Sequence, residues 1–454
     1  MSQDSLPNSP ASSRIPADAS LAQCLQILEA RHPESKIELG LTRVAAVYAK
    51  LGVQFACPVL MVAGTNGKGS TCAMLESILR QGGYRTGLYI KPHFLEFTER
   101  CRINAQQVDD ETMRQAFLAV EAARGEVFLS YFEFTTLAIL WILARAELDA
   151  VILEVGLGGR LDAVNVVDAD VSIVTSIDID HTAYLGDTRE LIGFEKAGIF
   201  RAARTAICSD PQPPQSLIEH AQAIGADLWL FGRDFNYNGD KLQWNYAGRS
   251  LRRNSLAYPG LRGANQLFNA CAALAALEAL RTRLPLGAQD VRNGLAMVEL
   301  AGRFQVLPGR PVVVLDVAHN PHAAATLAHS MDQMGFFRFT HAVFGAMADK
   351  DIAGIFKQMQ GRVDYWHLTP LDYARAAGTQ DLLAHLRQTG CAAPELSAAA
   401  LPEQLPDSAV IRHENAVSAW RTACERAGEN DRIVVFGSFL TVGAVMAARR
   451  SPPA

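Results

Sequence analysis

The chain has 454 residues, of which 49% are hydrophobic and 20% are charged, and its formal net charge is −5 at pH 7. This length predicts two domains, and the composition is that of a globular protein rather than a disordered or fibrous one. The negative charge gives no general field for attracting nucleic acid or an anionic membrane, so we expect small-molecule substrates and no nucleic-acid or membrane partner.

The cysteines and the apolar segments indicate the cellular compartment. The eight cysteines are scattered without a Cys-x-x-Cys pair, which excludes a local zinc or disulfide motif and fits a reducing cytoplasm. Residues 1–20 are rich in Ser and Pro and lack the apolar core of a signal peptide, so we interpret them as a disordered tail. The longest apolar stretch, residues 135–144, is shorter than the roughly 20 residues that cross a bilayer. The sequence therefore predicts a cytoplasmic protein.

Apolar strand patterns alternate with helical patterns in the first half of the chain. The stretch PVLMVAG (58–64) predicts a buried strand, followed by a helix from about Lys68 to Arg80. Two more apolar strands, AVILEVG and DVSIVTSID, follow a long helix predicted for residues 133–147. Because strands that are buried on both faces occur in parallel sheets covered by helices, the pattern indicates the α/β class.

A second alternation begins after the turn-rich residues 232–258, which predict a small antiparallel excursion. The strands VVVLDVAHN, HAVFGAM, VDYWHLTP and RIVVFGSF are each followed by a helical pattern. We place the domain boundary close to Glu299–Arg303. The prediction is an N-terminal P-loop-type domain with a mostly parallel sheet flanked by helices (21–299) and a smaller C-terminal Rossmann-like α/β domain (300–454).

The stretch MVAGTNGKGST (61–71) places a glycine-rich turn between the first strand and its helix. Main-chain N–H groups and the helix N-terminus converge at such a turn and can surround a phosphate, and Lys68 would add a positive charge. The strict P-loop pattern fails, because Val62 and Gly69 stand where a glycine and a hydroxyl residue are usual, and the first hydroxyl comes at Ser70. The alternative is a tight strand-to-helix turn without a ligand.

Polar side chains follow two more of the predicted strands. Glu154 ends the strand AVILEVG, and Asp180 and His181 come after DVSIVTSID. Because the carboxyl ends of parallel strands line the ligand crevice, we expect Glu154, Asp180 and His181 at the same sheet edge as the glycine turn. Hard oxygen ligands suit Mg²⁺, which nucleotide chemistry requires. Taken alone, a glutamate at a strand end is usually only solvated, and a lone histidine is usually a hydrogen-bonded packing residue.

Six motifs in fixed order over residues 64–354 resemble the folylpolyglutamate synthase family of the Mur ligase superfamily, most closely its bacterial bifunctional dihydrofolate synthase/folylpolyglutamate synthase branch. The motifs are GTNGKGS, EVGLGGRLDAVN, DHTAYLG with FEKAGIFR, GRFQ, DVAHNPHAA and DKDIAG. The resemblance implies an ATP-dependent amide ligase that activates a carboxylate as an acyl phosphate and joins it to L-glutamate. The acceptor would be 7,8-dihydropteroate, giving dihydrofolate, or the γ-carboxylate of a reduced folate. The family also suggests a monomer.

The resemblance further implies roles in nucleotide and metal binding. Lys68 and His319 would act near the transferred phosphoryl group. The implied ATP contacts are Gly64, Thr65, Asn66, Gly67, Lys68, Gly69, Ser70, Asn265, Arg303 and Asp316. The implied Mg²⁺ ligands are Glu154, His181, Ser70 and Lys196, the last as a carbamate formed with CO₂. The alternatives are an ordinary Lys196 paired with Glu195, and a His319 that caps the helix starting at Pro321.

An acceptor pocket is implied by two further segments. Its residues are Ser130, Tyr131, Phe132, Glu133, Leu161, Asp162 and Ala163, and the loop 37–43 (IELGLTR) resembles the family's substrate loop near the N-terminus. An aromatic ring would stack on the flat pterin, and a carboxylate would accept hydrogen bonds from its N–H groups. Core packing explains Phe132 almost equally well.

Two residues depart from the family pattern. Lys91, in YIKPHFLEF, stands where members often carry a serine that binds Mg²⁺, and a protonated amine cannot coordinate a cation. Either water completes the shell of that metal, or Lys91 contacts phosphate and replaces part of the metal's charge. Asn265 stands where many members have a histidine. A third element, residues 349–351 (DKD), matches the family but is also explained as charges at a helix start.

Two other functions are also compatible with the sequence. Another ligase of the superfamily would add an amino acid to a cell-wall nucleotide, and a P-loop ATP switch would change shape without any acceptor. The wording of DKDIAG and FEKAGIFR favours the folate branch. Arg303 and Asp316, in the second domain, argue against a switch.

Overall fold

The computed structural model describes residues 14–240, 242–263 and 265–450, and residues 1–13 of the predicted tail lie outside this part of the chain. Two compact units are present. The first comprises the described residues up to Ile179 together with Leu185–Tyr258 and Phe268–Ala296. The second comprises Asp180–Tyr184, Pro259–Leu267 and the described residues from Met297 onward.

Helices are present where the sequence predicted them for residues 68–80 and 133–147. In chain order they are α1 (Leu21–Arg31), α2 (Thr42–Leu51), α3 (Lys68–Gln81), α4 (Asp110–Arg124), α5 (Tyr131–Arg145), α6 (Thr182–Leu185), α7 (Arg189–Ala197), α8 (Gln215–Ile224), α9 (Gln266–Ala279), α10 (Ala288–Ala296), α11 (Pro321–Asp332), α12 (Ile352–Met359), α13 (Thr379–Gln388), α14 (Ala416–Arg426) and α15 (Phe439–Arg450). In the described part of the chain, every helix is too short or too polar to span a bilayer.

The strands belong to three sheets. In chain order they are β1 (Val59–Ala63), β2 (Thr86–Tyr89), β3 (Cys101–Ile103), β4 (Gln106–Gln107), β5 (Ala150–Glu154), β6 (Val171–Val174), β7 (Thr205–Cys208), β8 (Asp227–Leu230), β9 (Asn236–Gly239), β10 (Gln243–Ala247), β11 (Arg252–Ala257), β12 (Gln305–Leu307), β13 (Val312–Leu315), β14 (Thr340–Phe344), β15 (Tyr365–Leu368), β16 (Glu395–Ser397), β17 (Ala409–Arg412) and β18 (Arg432–Phe436).

The large sheet of the first unit has the order β4-β3-β2-β5-β1-β6-β7-β8. Its strands are parallel except at the β2–β3 and β3–β4 pairs. Strands β1, β2, β5 and β6 are buried along their whole length, because helices such as α3 and α5 cover them. Continuous apolar runs are what such strands require, and the predicted mostly parallel sheet is confirmed.

The predicted antiparallel excursion forms a three-stranded sheet in the order β11-β10-β9. Its middle strand buries Trp244 and Tyr246. The buried carboxylate of Glu278, in α9, accepts hydrogen bonds from the Tyr246 hydroxyl and from the main-chain N–H groups of Ser250 and Leu251. The Glu278 side chain therefore helps to attach this sheet to the rest of the first unit.

The second unit has a seven-stranded sheet in the order β12-β13-β18-β14-β15-β17-β16. Only β12 is antiparallel to its neighbour among the described strands of this sheet. The strand-then-helix alternation confirms the Rossmann-like α/β prediction. Within its interior, His341, His367 and His413 stack across neighbouring strands, with ring centroids 5.5 and 5.2 Å apart.

The predicted tail does not extend through residues 14–20. Ile15 and Ala19 are buried in the hydrophobic core of the first unit. Ser20 forms a capping box with Gln23 at the start of α1, in which each residue's side chain accepts a hydrogen bond from the other's main-chain N–H group. The high Ser and Pro content of residues 1–20 led to the prediction of disorder, although this segment contains two core residues, Ile15 and Ala19, and the N-cap of α1.

Candidate active site

The glycine turn joins β1, which ends at Ala63, to α3, which begins at Lys68. Gly64 has a φ of 150° and Gly67 a φ of 90°, a region that side chains disfavour. A Cβ atom on Gly64 would overlap the hydroxyl of Thr175, and one on Gly67 would overlap the amide of Asn269. Both glycines are thus required by close contacts as well as by backbone conformation.

Residues after β6 hold the turn in shape. The Thr65 N–H donates to Ser176 O at 2.6 Å, and the Asn66 N–H donates to Ser176 Oγ at 3.1 Å. The Thr175 hydroxyl donates to Asn66 O at 2.6 Å. Sequence reasoning missed Thr175 and Ser176, although they follow the strand that pairs with β1. Their positions become meaningful only once that strand order is known.

Lys68 folds back over the turn that precedes it. Its ammonium donates to Gly64 O at 2.9 Å and to Thr65 O at 3.0 Å. Ser70, in the first turn of α3, is buried. An ammonium beside a glycine turn and a helix N-terminus is an arrangement suited to phosphate oxygens.

Glu154 lies at the sheet edge where the glycine turn lies. Strand β5 is paired with β1, and Glu154 is in register with Val62. The side chain is buried, and its Oε2 accepts the main-chain N–H of Lys91 at 2.7 Å. The strand pattern therefore predicted the position of Glu154 relative to the turn correctly. His181 belongs to the second unit.

Lys91 follows β2, and its side chain is almost fully buried. The ammonium lies 4.1 Å from the ring centroid of Tyr89 and 4.5 Å from that of Phe132. Burial lowers the pKa of Lys91, and the carboxylates of Asp162 and Glu154 only partly oppose this effect. The ammonium is thus placed beside the residues expected to line the acceptor pocket.

The three segments implied for the acceptor come together in the first unit. Ser130 caps α5, and its N–H donates to Glu133 Oε2 at 2.7 Å in a capping box. Arg43, at the end of the substrate loop, donates to Glu133 Oε1 at 3.0 Å, and the Gly40 N–H donates to Leu161 O at 3.3 Å. The loop is thereby attached to both of the other segments.

The carboxylate of Asp162 is held by main-chain groups. Its two oxygens accept three N–H bonds of 2.9 to 3.0 Å, from Gly156, Leu157 and Val164. The glycine at 156 also leaves room for the ring of Phe132, which a Cβ atom there would press against. Glu133 and Asp162 both shape the pocket with their hydrogen bonds, and acceptance from a pterin by either stays a prediction.

The motifs GLGGRLDAVN and FEKAGIFR pack against each other. The Arg160 N–H donates to Glu195 O at 2.8 Å, and its guanidinium donates to Glu195 Oε1 at 2.7 Å. A Cβ atom on Gly159 would press on the carbonyls of Glu195 and Lys196, and one on Gly198 would press on Arg160. Lys196 is buried. The Glu195 carboxylate, which the sequence suggested as an ion-pair partner of Lys196, accepts a hydrogen bond from Arg160.

Asp180 is the centre of a charged cluster in the second unit. Its carboxylate accepts from Lys350 Nζ at 2.5 Å and from Asn320 Nδ2 at 3.2 Å, and His319 Nε2 lies 3.7 Å away. The adjacent His181, at a φ of 53°, donates its N–H to Asp180 Oδ1 at 2.8 Å. The sequence predicted Asp180 at the ligand edge together with His181 but did not identify this charged cluster.

This cluster has a marked effect on the pKa of Asp180. Burial alone would raise that pKa, but the nearby His319 and the positive charge of Lys350 hold it well below its usual range. His319 Nδ1 donates to Val317 O at 2.8 Å, which directs Nε2 to the carboxylate. Two histidines and a lysine thus surround one permanent negative charge.

The alternative of His319 as a helix cap is wrong. The cap of α11 is Asn320, whose Oδ1 accepts the Ala323 N–H at 2.9 Å. At α12 the cap is Asp351, as the helix-start explanation of residues 349–351 requires. Lys350 instead pairs with Asp180, so this segment both starts a helix and completes the charged cluster.

The remaining predicted nucleotide contacts also lie in the second unit. The guanidinium of Arg303 lies 5.0 Å from the ring centroid of Phe439. Asp316 accepts the Phe304 N–H at 2.8 Å. Burial raises the pKa of Asp316 although Arg303 opposes the rise. Asn265 donates to the Thr326 hydroxyl at 3.1 Å, against α11. Asp316 therefore holds the turn that presents Arg303.

Known proteins match both parts of the chain. Residues 62–277 match the Mur ligase middle domain, and residues 302–439 match the Mur ligase glutamate ligase domain. A curated relative from Escherichia coli, named dihydrofolate synthase/folylpolyglutamate synthase, is 42% identical over 443 residues, which cover 96% of this chain and 98% of the relative.

Solved structures match most of the chain. E. coli FolC in complex with DHPP and ADP has a TM-score of 0.87 at 41% identity, covering 96% of this chain and 100% of that one. A bifunctional folylpolyglutamate synthase/dihydrofolate synthase with Mn, AMPPNP and L-glutamate bound has a TM-score of 0.85 at 39% identity, covering 97% and 100%. The chain therefore belongs to the dihydrofolate synthase/folylpolyglutamate synthase family of Mur ligases.

Proposed function

We propose that this protein is an ATP-dependent ligase that adds L-glutamate to 7,8-dihydropteroate and to the γ-carboxylate of reduced folates. The observation that carries the proposal is the glycine turn with Lys68 at the sheet edge where Glu154 lies, in a chain of which 96% is similar to FolC bound to ADP and DHPP. A relative bound to AMPPNP and L-glutamate supports the two co-substrates.

The proposed reaction has two steps, transfer of the γ-phosphoryl group and formation of the amide bond. A carboxylate oxygen of the acceptor attacks the γ-phosphorus of ATP, the bond to the β,γ-bridging oxygen breaks, and ADP leaves with the electron pair. The amine of L-glutamate then attacks the acyl carbon, the bond between that carbon and the phosphoryl oxygen breaks, and phosphate leaves while the nitrogen loses a proton. Such transfers need positioning and charge compensation more than covalent help from the protein.

The glycine turn supplies the phosphate contacts. Main-chain N–H groups of the turn other than those of Thr65 and Asn66, which donate to Ser176, would surround the phosphates, and the Lys68 ammonium would exchange its carbonyl partners for phosphoryl oxygens. The Lys68 ammonium would thus stabilise the negative charge that develops on the transferred phosphoryl group. The hydrogen bonds from residues 175 and 176 keep the turn in position for this task.

The residues fit a magnesium ion that arrives with the nucleotide. Clusters of three or more His, Cys, Asp or Glu side chains able to hold a metal do not occur among the described residues. Nucleotide-bound Mg²⁺ needs only one or two carboxylates besides phosphate oxygens and water, and the buried carboxylate of Glu154 and the Ser70 hydroxyl suit that role. The ion would neutralise charge on the phosphates.

Lys196, in the first unit, and His181, in the second, are each proposed as a metal ligand. Lys196 is buried, and a carbamate, formed when its neutral amine adds to CO₂ and loses a proton, would turn it into an oxygen ligand. Intact-protein mass measurement in bicarbonate, with Lys196→Ala as the control, is expected to find one added CO₂ that the variant lacks. Equal masses for the two proteins, apart from the substitution, would contradict the carbamate.

The acceptor would lie among residues 130–133 and 161–163, next to the loop 37–43. Phe132 offers a ring face for the pterin, and the contacts of Arg43 and Gly40 fix the loop to both segments. In the second unit, Arg303, Asp316 and Asn265 are proposed nucleotide contacts and His319 a catalytic residue. The domain division at residues 299–300, the monomeric state and the cytoplasmic location stay predictions.

Product analysis tests the function. With ATP, Mg²⁺, L-glutamate and either dihydropteroate or tetrahydrofolate, mass spectrometry is expected to detect a product enlarged by one glutamyl unit, together with ADP. ADP release that ignores the acceptor and glutamate would indicate an ATP switch, and ligation onto a cell-wall nucleotide alone would indicate another ligase of the superfamily.

Lys68→Ala tests the glycine turn itself. Loss of the ammonium should reduce both ligations by at least ~100-fold, because removal of one charge-stabilising donor commonly costs that much. Circular dichroism should show an unchanged fold, and the surface substitution Lys50→Ala serves as the control. Full turnover by Lys68→Ala would mean that the turn does not bind the reacting phosphate.

A further inference from the structure

The ammonium of Lys91 is enclosed by aromatic rings. The side chain is 8% exposed, and Nζ lies 4.1 and 4.5 Å from the ring centroids of Tyr89 and Phe132. The Tyr89 ring is itself fixed, because its hydroxyl is hydrogen-bonded to Thr136 at 3.0 Å. Such cation–π contacts stabilise a desolvated cation, and they hold the ammonium in one place.

Nearby carboxylates do not complete the coordination of this ammonium. Asp162 Oδ1 is 3.9 Å from Nζ, beyond hydrogen-bond distance, and its carboxylate already accepts three main-chain N–H groups. The contact between Lys91 and Glu154 uses the main-chain N–H of Lys91 rather than its side chain. Among the described residues, Nζ has no hydrogen-bond partner.

A buried cation with three donors and no hydrogen bond is costly, because each donor has lost its water. Rings stabilise its charge but accept no conventional hydrogen bond as strong as that of an oxygen. The arrangement is therefore suited to a ligand that brings a negatively charged oxygen. Among the proposed reactants, two sources provide one: the carboxylate of the acceptor and the γ-phosphate of ATP.

We propose that the Lys91 ammonium binds the reacting carboxylate of the acceptor and holds it beside Glu154. The inference rests on the proposed ligase function and extends it to a specificity-determining residue. Phe132 and Asp162, which lie next to Nζ, belong to the segments proposed for the acceptor, and this favours the acceptor over the nucleotide as the source of the oxyanion. Lys91 thus distinguishes an acid from its uncharged analogues.

Equilibrium binding with EDTA and without nucleotide tests this role. Dihydropteroate and its carboxamide, which differ only at the reacting group, are titrated into the wild type, Lys91→Met, Lys91→Arg and the exposed control Lys50→Met. We expect the wild type and Lys50→Met to prefer the acid at least tenfold. Lys91→Met should bind the two compounds equally well, and Lys91→Arg should keep part of the preference.

Three other results would each contradict the proposal. An undiminished preference for the acid in Lys91→Met, or an equal loss of affinity for acid and carboxamide, would overturn the proposal. A third possibility is that Lys91→Met weakens metal-free ATP binding relative to ADP and leaves the acceptor unaffected. That result would overturn the acceptor assignment and place the ammonium on the γ-phosphate instead.

Two measurements separate this inference from folding and from the proposed function. Thermal unfolding of Lys91→Met should match or exceed that of the wild type, because an apolar side chain of similar length replaces a buried charge. Failure of the wild type to form glutamylated product would remove the ligase function. The comparison of acid and carboxamide would still decide what Lys91 binds.

Discussion

Gly64 shows how a single residue determines the shape of the nucleotide turn. Its φ of 150° is almost the same as the 154° of Gly40, but the two glycines differ in their surroundings. A Cβ atom at Gly64 would overlap the Thr175 hydroxyl, whereas none of the described residues approaches within 4 Å at Gly40. Alanine substitutions at these two glycines therefore distinguish the effect of backbone strain from the effect of disturbing a specific contact.

We expect Gly64→Ala to weaken ATP binding at least ~10-fold, or about 1.4 kcal/mol. The methyl group must displace Thr175, whose hydroxyl holds Asn66 in the turn. Gly40→Ala carries similar conformational strain of about 1 to 3 kcal/mol and should leave ATP affinity unchanged. Calorimetric titration with ATP and thermal unfolding measure the two effects. Equal ATP affinity in both variants would refute the role assigned to Thr175.

The nucleotide turn was predictable at the level of residue types. Lys68 and Glu154 follow buried strands, and parallel strands bring their carboxyl ends to one edge. Thr175 and Ser176 were not identifiable as residues that hold the turn, because their partners are distant in sequence. Hydroxyl side chains occur at many loop positions, and only the strand order shows which of them face the turn.

Helix α5 illustrates how one element serves both stability and the acceptor pocket. Its first turn contains the capping box of Ser130 and Glu133, and Glu133 also pairs with Arg43 from the substrate loop. The sequence pattern predicted this helix for residues 133–147, whereas it begins at Tyr131. The Ser-x-x-Glu spacing before the apolar run was the available signal for the earlier start.

Substitution of Glu133 should separate these two tasks. Glu133→Gln keeps a capping-box residue but removes the charge that Arg43 binds, so the KM for the acceptor should rise several-fold with a stability loss under about 1 kcal/mol. Glu133→Ala should lose about 1 kcal/mol more. Steady-state kinetics and urea unfolding provide the measurements.

Helix α4 allows the contribution of an N-cap to the free energy of unfolding to be measured separately. Asp109 is the N-cap there and accepts the Thr112 N–H at 2.7 Å. Asp109→Ala should lower stability by about 1 kcal/mol without raising the acceptor KM. If Glu133→Gln left the acceptor KM at the wild-type value, the attachment of the loop through Arg43 would have no part in substrate binding.

At the scale of the whole molecule, the alternation of patterns predicted two α/β units and the class of each sheet. It could not predict the separate segments 180–184 and 259–267 that belong to the second unit, because contacts of that kind leave no periodic pattern. It also gave no sign of the histidine row. His341, His367 and His413 are far apart in sequence, and each alone is read as an ordinary buried residue.

The histidine row predicts that the second unit loses stability in mild acid. Burial lowers the pKa of His341 and of His413 to about 4, and burial together with its neighbours lowers that of His367 further. Asp431, 3.9 Å from His341, only partly opposes this, and Tyr365 stacks on the same ring. The unfolded chain therefore binds more protons between about pH 6.5 and pH 4, so stability is complete above that window and falls as the pH decreases through it.

The expected loss is on the order of 2 kcal/mol or more between pH 7 and pH 4.5, since one unit of pKa difference corresponds to about 1.4 kcal/mol. Urea unfolding at several pH values measures it. His413→Asn should flatten the dependence, while the exposed control His329→Asn should keep the wild-type slope. Identical slopes for wild type and His413→Asn would show that the row does not govern acid stability.

The mutual packing of Gly159 and Gly198 with Arg160 and Glu195 has a consequence for the recognition of degenerate enzymes. These residues of the two motifs are required for steric reasons. A homologue that had lost its catalytic activity could therefore retain them because they are needed for folding. A motif search would still report such a pseudoenzyme as intact. Lys68 and Glu154, whose side chains serve the proposed chemistry, are the positions that would reveal its loss.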